Sequence, residues 1–285
     1  MNRESIYKKV TDTIIEKLKE GIIPWKNPMQ GFLPMNFFSK HFYQGINWLL
    51  LNHLNFKSPY YLTFLQTQQK GGQILKGSKG FPVVFWKLLD GTPDENGKSE
   101  KFPMIRISTV FNLTQTTLYS EDKEKELFKS LPSAEQILSD IIKKHNPVID
   151  NNFRGKAYYK PSTHSICIPP IHQFKNPDSY FDALFHELIH WTGKELKRES
   201  DHKFNSPSYA FEELVAEIGS SYLCSLCGLE SEIENQTAYI QGWLTKLDPD
   251  KVGTNLIIKA SNAAKQAVNF LIDNKNEGAE NVQAN

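Results

Sequence analysis

His186-Glu187-Leu188-Ile189-His190 is an H-E-x-x-H pattern, and each of its spacings has a chemical use. On a helix, residues i and i+4 share one face, so both imidazoles can reach one metal ion. Glu187 lies beside them, placed to take a proton from a metal-bound water. Random placement of 8 histidines and 32 acidic residues over 285 positions produces at most about 0.025 such matches per chain. Leu184, Phe185, Leu188 and Ile189 are apolar, so the helix is expected to be buried, and its polar residues then need partners.

Catalytic zinc takes three protein ligands and leaves a fourth position for water. Six residues after the second histidine stands Leu196, so a third histidine at the metzincin spacing is excluded. A carboxylate from a following helix is the other solution. Glu212-Glu213-Leu214-Val215-Ala216-Glu217 supplies it, with Glu213 lying 23 residues after His190. Glu213 and Glu217 are i and i+4 and face the same way. Glu213 is read as the third ligand and Glu217 as the carboxylate that orients a histidine from behind; the exchanged assignment is the alternative. Glu212 is expected to point to solvent. Asp201 and His202 are further candidates, in a polar loop. Tyr158, Tyr159 and His164 are candidate donors to an oxyanion. The strand His164–Ile168 just ahead of the metal helix is either an ordinary sheet strand or an edge that binds extended substrate. Cys224 and Cys227 would share one buried helix face, and Cys167 is the one cysteine besides them, so they are read as core rather than as a zinc ribbon.

Several elements must position this site. Asn176-Pro177 opens a helix, with Asn as cap and Pro at the first turn, running to Gly193. Further helices are expected over 209–227 and 254–273. Ser133 and Gln136 have capping-box spacing ahead of a helix through His145. KAYYK and HSICIP read as short strands. In the first half, Ile6, Val10, Ile14 and Leu18 predict an amphipathic helix over 4–20, closed by Gly21. WLLLNHL reads as a short buried helix. YYLTFLQTQQK begins helix-like before a Lys/Gly segment, and FPVVFWKLL and MIRISTVFNL form a hairpin with its tip at 90–101. A charge run at 120–126 marks a domain boundary, and the tail 274–285 reads as disordered.

Composition is that of a globular protein, with 39% hydrophobic and 23% charged residues. No apolar run approaches the ~20 residues needed to span a bilayer. The first 20 residues lack the apolar core of a signal peptide, and 3 cysteines do not make a disulfide framework; the cytoplasm is the expected compartment. The net charge of +1 hides a split: residues 1–120 carry +7 and the remainder −6. The same first 120 residues hold 18 of the 34 aromatics. Positive charge binds polyanions by counterion release, and aromatic faces stack on unpaired bases, so single-stranded nucleic acid is one reading and a core full of rings with solvated lysines is the other.

The chain resembles the ArdC family of antirestriction proteins over nearly its whole length. In the first half the resemblance rests on Gly21-x-x-Pro24-Trp25, Pro34-x-Asn36, Tyr43-x-Gly45-x-Asn47, Thr63-x-x-Gln66, Lys76-Gly77-x-Lys79-Gly80 and Phe111-Asn112-x-x-Gln115; in the second it rests on His186–His190 and Glu212–Glu217. It implies an α+β, two-domain protein. Residues 1–125 would be a single-stranded DNA-binding domain, and 132–273 a zincin-like, gluzincin-type metallopeptidase domain that uses Zn²⁺. The implied role is protection of incoming mobile-element DNA from restriction, with a restriction enzyme or another protein as peptidase substrate. Lys70, Lys76 and Lys79, spaced by glycines, would approach phosphates. Trp25, Tyr43, Trp48 and Trp86 are the aromatic candidates, at least half of them expected in the core. Lys26, beside Trp25, and Asn47 complete the candidate DNA-binding set. Two positions depart from the family pattern: Met29 replaces a common second Trp, and His164-Ser165 stands where an Asp is common. A protein that only coats DNA, with a structural zinc, is the rival reading.

Overall fold

The computed structural model describes residues 3–26, 33–54, 56–93, 99–120, 132–152, 155–198, 206–229, 236–248 and 255–272, with backbone alone at 3, 86–93, 99–104, 207 and 237. Met29, Asp201, His202, the expected boundary run at 121–126, the tail at 274–285 and residues 94–98 lie outside the described residues; the hairpin tip expected at 90–101 is corrected, since 90–93 and 99–101 belong to the strands.

The first part begins with α1 (Arg3–Lys19), whose apolar stripe Ile6, Val10, Ile14 and Leu18 is buried as its spacing requires. β1 (Met35–Asn36), α2 (Gly45–Asn52), β2 (Tyr60–Thr63) and α3 (Phe64–Gln69) follow, then a long hairpin of β3 (Phe81–Pro93) and β4 (Ser99–Asn112). The four strands form one sheet in the order β1-β2-β4-β3, parallel only between β1 and β2. The helix-like reading of YYLTFLQTQQK is corrected: Tyr60–Thr63 is a strand, and Thr63 then caps α3. Thr63 with Gln66, and Asn112 with Gln115, are both reciprocal capping boxes, which is the physical reason for their shared x-x spacing.

The second part comprises α4 (Ala134–His145), β5 (Val148–Asp150), β6 (Tyr158–Lys160), β7 (Ser165–Cys167), α5 (Pro177–Glu195), α6 (Pro207–Cys227), α7 (Gln236–Lys246) and α8 (Leu256–Ile272). Its sheet has the order β5-β7-β6, so the strand expected at His164–Ile168 is central and not an edge, and β6 is the edge strand packed beside α5. β5 and α7 are additions to the sequence reading. Ser133 accepts from the Gln136 amide, but the Gln136 side chain turns to Asp140, so the capping box is half made.

The two parts share one core. A single hydrophobic cluster runs from Ile6, Trp25 and Trp48 in the first part to Phe185, Tyr222, Trp243 and Ala264 in the second. α1 lies on α7 and α8, and α8 packs against α2, α4, α5 and α6. Trp48 meets Tyr222 edge-on at 5.4 Å, and Trp25 meets Trp243 at 5.6 Å. Truncating either indole would leave a cavity costing about 3–5 kcal/mol.

Candidate metal centre

α5 and α6 begin in the same way. Asn176 caps α5 by accepting from the Ser179 amide, and Ser206 caps α6 by accepting from that of Tyr209; each is followed by proline. α5 buries Phe181, Leu184, Phe185, Leu188 and Ile189, which turns His186 and His190 outward. α6 lies alongside, and the approach is close: a Cβ on Gly219 would stand 2.7 Å from Ile189 Cδ1. That glycine is therefore required by the spacing of the two helices.

Across this contact His186, His190 and Glu213 bring one ligand atom each to within 4.8 Å of one another. The two Nε2 atoms are 3.1 Å apart, and Glu213 oxygens lie 3.7 Å from His186 Nε2 and 3.6 Å from His190 Nε2. Ligands about 2.0–2.1 Å from a tetrahedral ion stand about 3.3 Å from each other, so two imidazoles and a carboxylate at these separations fit a divalent metal. Burial favours a neutral His186, but its hydrogen bond to Glu213 and the charges of Glu217, Glu187 and Glu213 outweigh it and raise its pKa to about 9. Burial likewise opposes ionisation of Glu213, and the bond to His186 with the charges of both imidazoles overcomes it, to a pKa of about 2. Positive charge is thus favoured at this point, as a cation site requires.

Glu187 is buried at the cleft wall, its Oε2 accepting the Tyr159 amide of β6 at 2.7 Å. The edge strand therefore holds this carboxylate beside the ligands. Glu217 stands one turn beyond Glu213 on α6 and is outside the three-residue donor cluster. Glu212 corrects the sequence reading. It is buried, and Arg198 grips it with Nε–Oε2 3.1 Å and Nη2–Oε1 2.7 Å. Its Oε1 lies 3.5 Å from His190 Nδ1, the ring nitrogen facing away from His186. Arg198 also bonds Thr192 Oγ1 and the Ile189 carbonyl, both on the metal helix. Glu212 and Arg198 thus fix the His190 ring, a carboxylate–histidine arrangement that orients a ligand.

A cleft of about 710 Å³ opens over the site, lined by Tyr158, Tyr159, Pro161, Lys194, Arg198 and Tyr209 among others. Tyr159 Oη and His164 Nδ1 are bonded to each other at 2.9 Å, and His164 also bonds Glu195 and stacks on Trp191. Tyr158, 39% exposed, lines the mouth. Tyr209, unnoticed in the sequence, lies one turn before Glu213 and is hydrogen-bonded to it; burial, then the Glu213 charge and bond, push its phenol up to about 12. Cys224 is buried and Cys227 half-buried, both thiols raised by burial, as expected of core cysteines.

The candidate DNA-binding residues divide between the interior and the surface. Trp25 is fully buried, and its Nε1 donates to Tyr239 Oη. Lys26 is half-buried and paired with Asp182 at 3.3 Å. Tyr43 is buried against Tyr61 and Asn36. Asn47 brackets the β3 backbone, donating to Val84 O at 2.7 Å and accepting from Val84 N at 2.6 Å. Their placement as a base-stacking or phosphate-contacting set is therefore corrected: these four are spent on the fold. Trp86 is on β3 opposite Ile105, its side chain outside what is described. Lys70, Lys76 and Lys79 are exposed, on a loop fastened to the segment after β4 through Gln73–Thr117 and Leu75–Gln115.

A family model described as the N-terminal domain of anti-restriction factor ArdC matches residues 4–111, and one described as a zincin-like metallopeptidase matches 136–263. Two Escherichia coli proteins named DNA primase TraC are 30% and 32% identical over 95% and 87% of this chain, which spans only 27% and 19% of their length. The crystal structure of antirestriction ArdC protein from the R388 plasmid, metal-free, is similar at a TM-score of 0.74 and 33% identity, covering 93% of this chain and 96% of that one. Its Mn(II)-bound structure gives the same TM-score at 31% identity, with 95% and 98% coverage. No helix among the described residues is long and apolar enough to cross a membrane. With a zincin-like half, a divalent-metal donor set and this likeness over both parts, the chain belongs to the ArdC family of antirestriction proteins.

Proposed function

We propose that the cleft is a zinc-dependent peptidase site and that the first part binds single-stranded DNA, the two serving protection of incoming DNA from restriction. The observation that carries the peptidase reading is the convergence of His186, His190 and Glu213 beside a buried Glu187 that the donor set does not use. Two imidazoles and a carboxylate suit zinc, which when bound polarises a carbonyl and acidifies water. Glu187 accepts the proton of the attacking water, held for this by the Tyr159 amide. The Tyr209 phenol stays protonated at working pH, and on turning its one hydrogen from Glu213 it would donate to the developing oxyanion. The partly exposed β6 edge lies where an extended peptide could be held across the cleft.

Glu187→Gln tests this. The amide oxygen can still accept from Tyr159, and metal content should stay at that of the parent. Peptide hydrolysis should fall by ~10²–10⁴. Loss of antirestriction in cells with metal and DNA binding intact supports proteolysis of a protein target. Retained antirestriction assigns protection to DNA coating.

DNA binding is supported by a second observation. Lys40, at a positive φ of 57°, sets its Nζ over the rings of Phe37 and Tyr60 at 4.3 and 4.1 Å, and Lys70 sets its own over Phe38 at 5.1 Å. Neither has a carboxylate partner among the described residues, and burial with the Lys70 charge lowers the Lys40 pKa. Two cations that repel each other over aromatic rings suit a phosphate flanked by bases. The name of the TraC relatives, DNA primase, is consistent with a nucleic-acid partner.

A further inference from the structure

Behind the metal helices, the segment that follows α1 is tied into the second part. Gln236 on α7 donates to the Gly21 carbonyl at 2.8 Å. Lys26 pairs with Asp182, which lies one turn before His186 on α5. Between these two ties the Trp25 indole enters the shared core, edge-on to Trp243. Its Nε1 donates to Tyr239 Oη at 2.9 Å, and Tyr239 Oη donates to Glu217 Oε2 at 2.7 Å.

The direction of this chain is forced. An indole nitrogen can only donate, so the phenol oxygen must accept from it. The single phenol hydrogen then goes to the carboxylate. Each bond polarises the next toward Glu217, strengthening the hold on that carboxylate in a part-buried setting. Glu217 stands one turn beyond Glu213 on α6, and its charge acts on both His186 and Lys26. Glu212 and Arg198 perform the equivalent service for His190, entirely from residues of the second part. The His186 side of the site is braced from the first part.

We infer that Trp25 and Tyr239 are positioning residues of the metal centre: through Glu217 they fix the electrostatic support of His186, so that the first part of the chain sets how tightly the second part holds its metal. This rests on reading the cleft as a metal centre. It gives Trp25 a use that base stacking cannot, since the indole is enclosed.

The experiment is a zinc titration of the full chain against a chromophoric chelator. Tyr239→Phe removes one hydroxyl and should weaken zinc binding ~10- to 100-fold. Trp25→Phe removes one N–H and should weaken it about 3- to 10-fold. Glu217→Gln combined with Tyr239→Phe should be no weaker than Glu217→Gln alone, because both act at one point. Gln236→Ala, which cuts another tie of the same segment, should leave affinity unchanged. Melting in excess chelator verifies that each variant folds; should Tyr239→Phe not fold, Trp25→Phe and Glu217→Gln carry the comparison. A Tyr239→Phe or Trp25→Phe affinity within twofold of the parent, or additive losses in the double variant, overturns the inference and leaves the two residues as packing. A parent chain that binds no zinc overturns the metal-centre reading together with this one.

Discussion

Around the cleft, His186, His190 and Glu213 keep 13–23% of their side chains exposed and face one another across separations of 3.1–3.7 Å. In the first part, Trp25, Tyr43 and Asn47 are at most 7% exposed, and each is bonded to another part of the chain. Both sets stand in patterned segments of sequence. They differ in whether the fold has used them up. Asn47 closes two short bonds to the backbone of one residue of β3, Val84, so these groups are consumed in joining α2 to the sheet. The two imidazoles instead point nitrogens at each other, an arrangement completed by a shared cation. Among the described residues of the first part, Lys40 and Lys70 show a comparable incompleteness, set over aromatic rings with no carboxylate partner; Lys70 opens the Lys/Gly segment, and Lys40 lies outside any patterned segment.

The largest effect that could break this comparison is at the ligands. His186→Ala or His190→Ala removes one of three donors and should abolish stoichiometric metal binding, measured by elemental analysis after dialysis. The single-strand binding proposed for the first part should persist, since the lysines proposed for it lie outside the metal centre. Metal retained by both variants would return the imidazoles to the class of spent residues.

A smaller effect tests the support of His190. Glu212→Gln removes the charge facing Nδ1 and should weaken zinc binding about 10- to 100-fold. Arg198→Ala should do the same and also destabilise the fold, since it leaves Glu212 buried and unpaired; breaking such a pair costs about 3–5 kcal/mol. Chemical denaturation in excess chelator separates the two consequences: Glu212→Gln should lower metal affinity more than stability, Arg198→Ala both.

How far this was legible in the sequence follows from distance along the chain. His186, Glu187 and His190 lie within five residues, and helical spacing alone puts the imidazoles together. Glu213 is reached by the same periodicity on α6. Glu212 escaped because its partner, Arg198, follows the end of α5 in irregular chain, and no period connects the two. Tyr209 escaped because an exposed-looking tyrosine in a first helical turn carries no signal of what it faces. In the first half, Thr63–Gln66 and Asn112–Gln115 carried capping chemistry openly, yet a spacing shared with a family reads as function until the bonds are seen. Trp25 meets Trp243 across more than two hundred residues, and the charge asymmetry that divides the chain says nothing of a core that joins it. Charge reports on surfaces, and the shared core is made of residues without any.

The smallest effect is the one that sharpens the first part. If Lys40 and Lys70 hold a phosphate, Lys40→Ala with Lys70→Ala removes about two phosphate contacts. For single strands the salt slope changes by about 0.7 per contact, so log affinity against log salt should become shallower by about 1.4. Lys76→Ala with Lys79→Ala should have a lesser effect if those lysines only add to the general field. Phe38→Ala should lower affinity at every salt concentration without changing the slope, because stacking releases no counterions. Trp25→Phe keeps an enclosed ring and should leave both affinity and slope as they are. Fluorescence anisotropy with a labelled oligothymidine across a salt series separates these outcomes. A slope unchanged in Lys40→Ala/Lys70→Ala, or lost binding in Trp25→Phe, would mean that exposure and incompleteness do not mark the DNA surface, and that the enclosed motif residues act on DNA through a conformation in which the shared core opens.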